Sequence, residues 1–162
     1  MKVKKRDLLR LHNAIHALEG KVFNVKFSYF IAKNKVAMRD EITALEEARK
    51  VSDEYKKYDT ERATLAQQYS DKNEDGSAKI QGNSFVITTN AELFQEDLEG
   101  LRVKYKDAIE EYETMMKDFE ELLNQEVEYD GTKVDLKDVP QTIEPAILET
   151  FILADLIIDE EF

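Results

Sequence analysis

Phe94, Leu98, Leu101, Tyr105, Ala108, Tyr112, Met115, Phe119 and Leu122 follow one another in alternating steps of four and three, with polar residues filling most of the gaps. Ile109, Met116 and Leu123 widen this row along one flank. A seven-residue apolar repeat marks a helix that lays one face on a partner helix. Thr89, with Glu92 three residues on, has capping-box spacing and places the helix over 90–124. That helix is roughly 50 Å long at about 1.5 Å per residue.

Upstream, Leu8, Leu11, Ile15 and Leu18 predict a first helix over 7–19, closed by Gly20 as a left-handed C-cap. The absence of Gly and Pro predicts a second helix over 28–70. Its apolar residues fall in offset rows, Ile31, Met38 and Leu45, then Ala48 and Tyr55, then Val51, Tyr58 and Leu65. The stripe therefore drifts. A short connection to 90–124 predicts an antiparallel helical hairpin, whose wide stripe is completed by the terminal segments or by a second copy. Within the connection, Gly82-Asn83 between two β-prone runs predicts a small β-hairpin over 78–88, at the tip. Asp130-Gly131 has the type I′ turn signature and predicts a second hairpin over 126–136. Pro145 fits the first turn of a final helix over 144–158. This last segment is apolar apart from Glu149, Thr150 and Asp155, too short and too acidic to span a bilayer, and reads as buried or interfacial. An acidic close, 159–162, ends in Phe162. The expected fold is mainly α: a single elongated domain over 1–162, built on a long coiled-coil-like antiparallel hairpin with two short β-hairpins and a C-terminal helix.

Composition narrows the chemistry. The 162 residues suit one domain, and 36% are charged, above the usual ~25%. The absence of Cys removes disulfides, thiolate nucleophiles and Cys-based zinc sites, and with no apolar leader at the start the expected location is cytoplasmic. The net charge of -12 hides a gradient. Residues 1–39 carry 10 basic and 2 acidic residues, whereas 126–162 carry 2 and 11. The basic cluster Lys2, Lys4, Lys5, Arg6 and Arg10 is expected to lie against an acidic surface, the chain's own C-terminal part or a neighbouring subunit. It offers nucleic acid only weak phosphate contacts.

His12 and His16, four apart on one helix face, are the only imidazoles; with no third ligand in sight they make a weak zinc candidate. Asp71, Asn73, Asp75 and Gly76 match the first half of a calcium loop, but Gly82 stands where a bidentate Glu belongs, so turn chemistry is favoured. Glu110, Glu111, Glu113, Glu120 and Glu121 fall outside the apolar row. They form a solvated face, or one that imitates DNA. Phosphate-cradling and nucleophile-elbow motifs are missing, so neither a cofactor nor enzymatic catalysis is expected. Protein partners are expected instead, self-association among them, and no membrane.

The order of a short basic helix, the stretch Phe27-Ser28-Tyr29-Phe30-Ile31-Ala32-Lys33-Asn34, an Asp/Asn/Gly-rich tip, a long acidic helix, and the close Val134-Asp135-Leu136-Lys137-Asp138-Val139 followed by Ile143-Glu144-Pro145-Ala146-Ile147-Leu148 resembles small acidic helical-hairpin proteins of bacteriophages and prophages. The resemblance implies a phage setting, host-cell cytoplasm or virion, and transfers no site. In that setting the unbroken heptads from Phe94 to Leu122, the apolar segment 146–158 and the missing catalytic motifs lead to the expectation of an assembly or accessory protein, and the rows of Asp and Glu to the alternative of an inhibitor of a host defence or nucleic-acid enzyme acting through its acidic helices. The helix, β-hairpin, helix order also looks like a prefoldin subunit, which implies a holdase.

Overall fold

The computed structural model describes residues 1–159, so the last three residues of the acidic close lie outside the described residues. The chain runs β1 (Lys2–Lys4), α1 (Lys5–His16), α2 (Val25–Ala48), α3 (Asp53–Tyr69), β2 (Ile80–Gln81), β3 (Ser84–Phe85), α4 (Ala91–Lys104), α5 (Lys106–Leu123), β4 (Glu126–Glu128), β5 (Val134–Asp135), a 3-10 turn at Leu136–Asp138, α6 (Pro145–Leu153) and β6 (Ile157–Ile158). It is mainly helical, with short strand pairs. Two compact units emerge, one of Met1–Arg49 with the chain from Asp118 onward, the other Lys50–Lys117.

In the first unit the row read from α1 is the row it buries: Leu8, Leu11 and Ile15, joined by Leu18 just past the helix. α2 contributes Phe27, Phe30, Met38, Ile42 and Leu45, and α6 contributes Ile147 and Phe151. The aromatic centre is tightly cross-braced. Phe151 meets Phe30 edge-on at 5.2 Å between ring centroids, while Phe27 and Phe30 stack at 5.5 Å. Asn24 caps α2 by accepting from Phe27 N at 2.9 Å, and Pro145 opens α6 as its position in the sequence predicts.

The hairpin expected over 126–136 does not form. β4 pairs instead with β1, antiparallel, and β5 pairs with β6, parallel. The turn signature at Asp130-Gly131 is overridden because the strands on either side find better partners at the two ends of the chain. Gly131 also lacks the positive φ that a type I′ turn needs. Its bareness serves close packing: a Cβ there would stand 2.5 Å from Leu156 Cδ2 and 2.7 Å from Tyr129 Cε1. Gly131→Ala is therefore expected to destabilise the first unit by about 1–3 kcal/mol through overpacking. Urea unfolding followed by circular dichroism measures the shift. The final helix is likewise shorter than the expected 144–158. It stops at Leu153, Asp155 takes the left-handed region (φ 53°), and the chain turns into β6.

In the second unit α3 and α4 lie antiparallel, since Tyr69 meets Phe94 at one end and Tyr58 meets Tyr105 at the other. The single helix expected over 28–70 is two helices, broken at Lys50–Ser52. The missing Gly or Pro did not matter, because Ser52 accepts from Tyr55 N at 3.2 Å and Asp53 and Glu54 occupy the first turn, a complete N-terminal signal that starts α3 afresh. A second interruption, at Tyr105 (φ -110°), separates α4 from α5 within the expected 90–124. The capping box is also absent. The Asn90 side chain makes no cap, and the chain before α4 is held from the tip by Asp71, which accepts from the N–H groups of Thr88 and Thr89 at 3.2 Å each. At the tip itself the predicted β2–β3 hairpin forms around Gly82-Asn83, with Ile80 opposite Phe85 and Gly82 at φ 61°. The heptad row also lies inward along its whole length. Leu98, Tyr105, Ala108 and Phe119 are buried, and the five residues between and beyond them are half-buried.

Candidate interaction surface

The basic N-terminal cluster is answered within the first unit. In the β1–β4 register Lys2 lies opposite Glu128 and Lys4 opposite Glu126, opposite charges across an antiparallel pair. Lys5 reaches Glu41 at 2.8 Å, Arg6 reaches Glu120 at 2.7 Å, and Arg10 turns back to Asp7 at 3.3 Å. Lys5, Arg6 and Arg10 are thus ion-paired within the chain, and Lys2 and Lys4 each have a Glu opposite in the strand register.

The other half of the N-terminal positive charge lies further on. Residues 20–39 hold Lys21, Lys26, Lys33, Lys35 and Arg39 and no Asp or Glu. Most of this stretch is α2, whose two faces are both apolar. One side carries Phe27, Phe30, Asn34, Met38, Ile42 and Leu45 into the core. On the opposite side Val25, Tyr29, Ala32 and Val36 follow in steps of four, three and four, within about 60° of one another at ~100° per residue. They are exposed: Val25 84%, Tyr29 59% and Val36 55%, with Val22 just before the helix at 96%. Isolated exposed apolar residues are commonplace, but a row at helical spacing has the form of a binding stripe. Lys26 and Lys33 flank it on one side and Lys35 and Arg39 on the other. Lys26 pairs with Asp138 at 3.0 Å and Lys35 with Glu19, while Lys33 and Arg39 have no ion pair among the described residues. Lys35 holds the Glu19 carboxyl below its usual range.

His12 and His16 stack with centroids 6.1 Å apart, His16 Nδ1 lies 3.0 Å from Glu19, and no cluster of three or more His, Asp and Glu able to hold an ion forms among the described residues. In the tip, Asp75 accepts from Ser77 N and Oγ and Asn73 donates to Ser77 Oγ. Asp71 also accepts from the Thr88 hydroxyl. These carboxylates thus serve turn donors. The Thr88 hydroxyl first, then the Thr89 and Thr88 N–H groups, hold the Asp71 carboxyl below its ordinary value. A depressed carboxyl stabilises the fold above its unfolded pKa of about 3.9 and loses that contribution as pH falls through the lower folded value. Protection of the Thr88 and Thr89 amides against hydrogen exchange is expected to fall over that acid window, and to be weak at any pH in Asp71→Ala.

Among the acidic candidates Glu120 is engaged by Arg6 and Glu110 lies 3.9 Å from Lys106. Glu111, Glu113 and Glu121 are exposed and have no ion pair among the described residues. In the second unit Tyr55 and Tyr112 stack at 3.9 Å, and Tyr105 donates to Glu61 at 2.7 Å with Lys104 at 3.0 Å from the same carboxylate. This pairing supports the contact of α3 with α4 and α5; its carboxylate and tyrosines already answer one another.

The outer face of α2 is the surface that reading the sequence for one drifting stripe misses. Its signal was the spacing 25, 29, 32, 36 in a stretch free of acids. No helix among the described residues is long and apolar enough to cross a membrane. In comparisons with known proteins, no family model matches this chain, and neither does any curated protein or solved structure.

Proposed function

We propose that this chain is a non-enzymatic protein–protein interaction protein, a structural or accessory component of a phage assembly, and that it binds through the outer face of α2. The observation that carries the reading is the exposed row Val25, Tyr29, Ala32 and Val36, set back to back with the core row of the same helix. Leaving these side chains in water costs the free protein hydrophobic free energy that a partner recovers on binding, at about 25 cal/mol per Å² covered. The phage setting rests on the resemblance in element order. In the second unit the antiparallel pairing of α3 with α4 supports an assembly role.

Affinity capture of the tagged full chain from the cells that produce it tests this reading. A partner recovered with the wild-type chain is expected to be lost with the triple variant Val25→Ser, Tyr29→Ser, Val36→Ser. Surface substitutions of this kind shift stability within about ±0.5 kcal/mol, so the loss is one of binding. Undiminished recovery counts against α2. The exposure of Glu111 and Glu113 favours a second reading, in which the acids of α5 occupy the positive surface of a host enzyme. Reversing those charges would then abolish the inhibition.

A further inference from the structure

Building on the reading of α2 as the docking face, we infer that its occupant is an amphipathic helix of another protein whose apolar row is edged by Asp and Glu. The row on α2 is straight and spans about 17 Å at ~1.5 Å per residue, so it matches the ridge of a second helix. Its edges carry Lys26 and Lys35, paired with Asp138 and Glu19, and Lys33 and Arg39, which stand without ion pairs among the described residues of a chain of net charge -12; the first acid of the helix, Asp40, comes one turn past Val36. Flanking charges of this kind choose partner and orientation in helix pairs.

A second copy of this chain fits poorly. Antiparallel self-pairing that sets Val25 against Val36 and Tyr29 against Ala32 sets Lys26 against Lys35, and parallel pairing sets Lys33 against Lys33. The acidic helices cannot supply the occupant from another copy either, because the heptad row of α4 and α5 faces inward. An anionic membrane is also a poor match. Interfacial helices sink Trp, Phe and Leu, whereas this row offers Val, Tyr and Ala, and the acidic remainder of the chain is repelled by such a surface.

Nuclear magnetic resonance of the isotopically labelled full chain distinguishes these occupants. One probe is a synthetic helix of about three heptads, with Leu at a and d and Glu at e and g, which its own flanking charges keep monomeric. The same peptide with Lys for Glu and vesicles of phosphatidylglycerol are the others. The Glu peptide is expected to move the amides of Val25, Tyr29, Ala32 and Val36 and to bind at least about tenfold more tightly than the Lys peptide. Lys33→Glu with Arg39→Glu is expected to reverse that preference. Equal affinity for the two peptides, unmoved amides over 22–39, or tighter binding to the vesicles overturns the inference. A cellular partner that is lost with the serine triple variant, alongside failure of the Glu peptide, would overturn the partner class and leave the docking face standing.

Discussion

Asn34→Ala is expected to cost about 3–5 kcal/mol, a large share of the 5–15 kcal/mol that holds a typical domain folded. Asn34 lies on the core side of α2 with no exposed surface, and its amide uses every hydrogen-bonding position it has. Nδ2 donates to Phe30 O and Thr132 O at 2.9 Å each, while Oδ1 accepts from Thr132 N at 3.1 Å and from the Tyr129 hydroxyl. Truncation leaves the Tyr129 hydroxyl without this partner in the interior, at about 1–3 kcal/mol for a buried group left unsatisfied, and takes the partner from both half-buried backbone groups of Thr132 as well. Burial is also what pushes the Tyr129 hydroxyl above its usual pKa. Tyr129→Phe removes one of the four bonds and is expected to cost only about 1 kcal/mol. Because the two side chains share a hydrogen bond, the double variant should fall short of the sum of the single losses. A strictly additive cycle in urea unfolding would show that the network does not act as a unit.

Phe151→Ala is the second large loss, about 3–5 kcal/mol for emptying a fully buried aromatic site. Phe151 is the residue by which α6 reaches the α2 aromatics, at 5.2 Å from Phe30 and 6.4 Å from Phe27, both edge-on. Such pairs add about 0.5–1.5 kcal/mol beyond the area they bury. Phe151→Leu keeps most of the volume and forfeits the ring geometry, so a loss of about 1–2 kcal/mol is expected. Near-ultraviolet circular dichroism and denaturant midpoints separate the two variants. Equal midpoints for the two variants would mean that the volume Leu retains counts for nothing at this site.

Much of the fold is legible in the chain because its helices obey local rules. The stripe of α1 and the heptad row of α4 and α5 can be read from spacing alone, and Gly82-Asn83 announces the tip hairpin. The failures share a physical cause. Whether Glu126–Glu128 pairs with its neighbour or with Lys2–Lys4 depends on which strand the compact fold brings alongside, and no turn propensity records that. The spacing of Thr89 and Glu92 suits a capping box, yet Asp71 reaches the same backbone from across the tip. Ser52, by contrast, was readable as a cap with Asp53 and Glu54 behind it, and the absence of Gly and Pro concealed it. The outer apolar row of α2 is hidden in the sequence for a different reason. A helix with two opposite apolar rows has no single period, so α2 looks like a stripe that drifts. Counting residues 1–39 together also merged the N-terminal cations, which are answered inside the first unit, with those edging Val25 to Val36.

Partners are expected to meet the outer face of α2. Photo-crosslinking in the producing cell tests it most directly, with a benzophenone amino acid placed at Val36 in one variant of the full chain and at Glu113 in another. Adducts to another protein from Val36, and few or none from Glu113, are predicted. Adducts from Glu113 with none from Val36 would rule out α2 and assign the function to the acidic face.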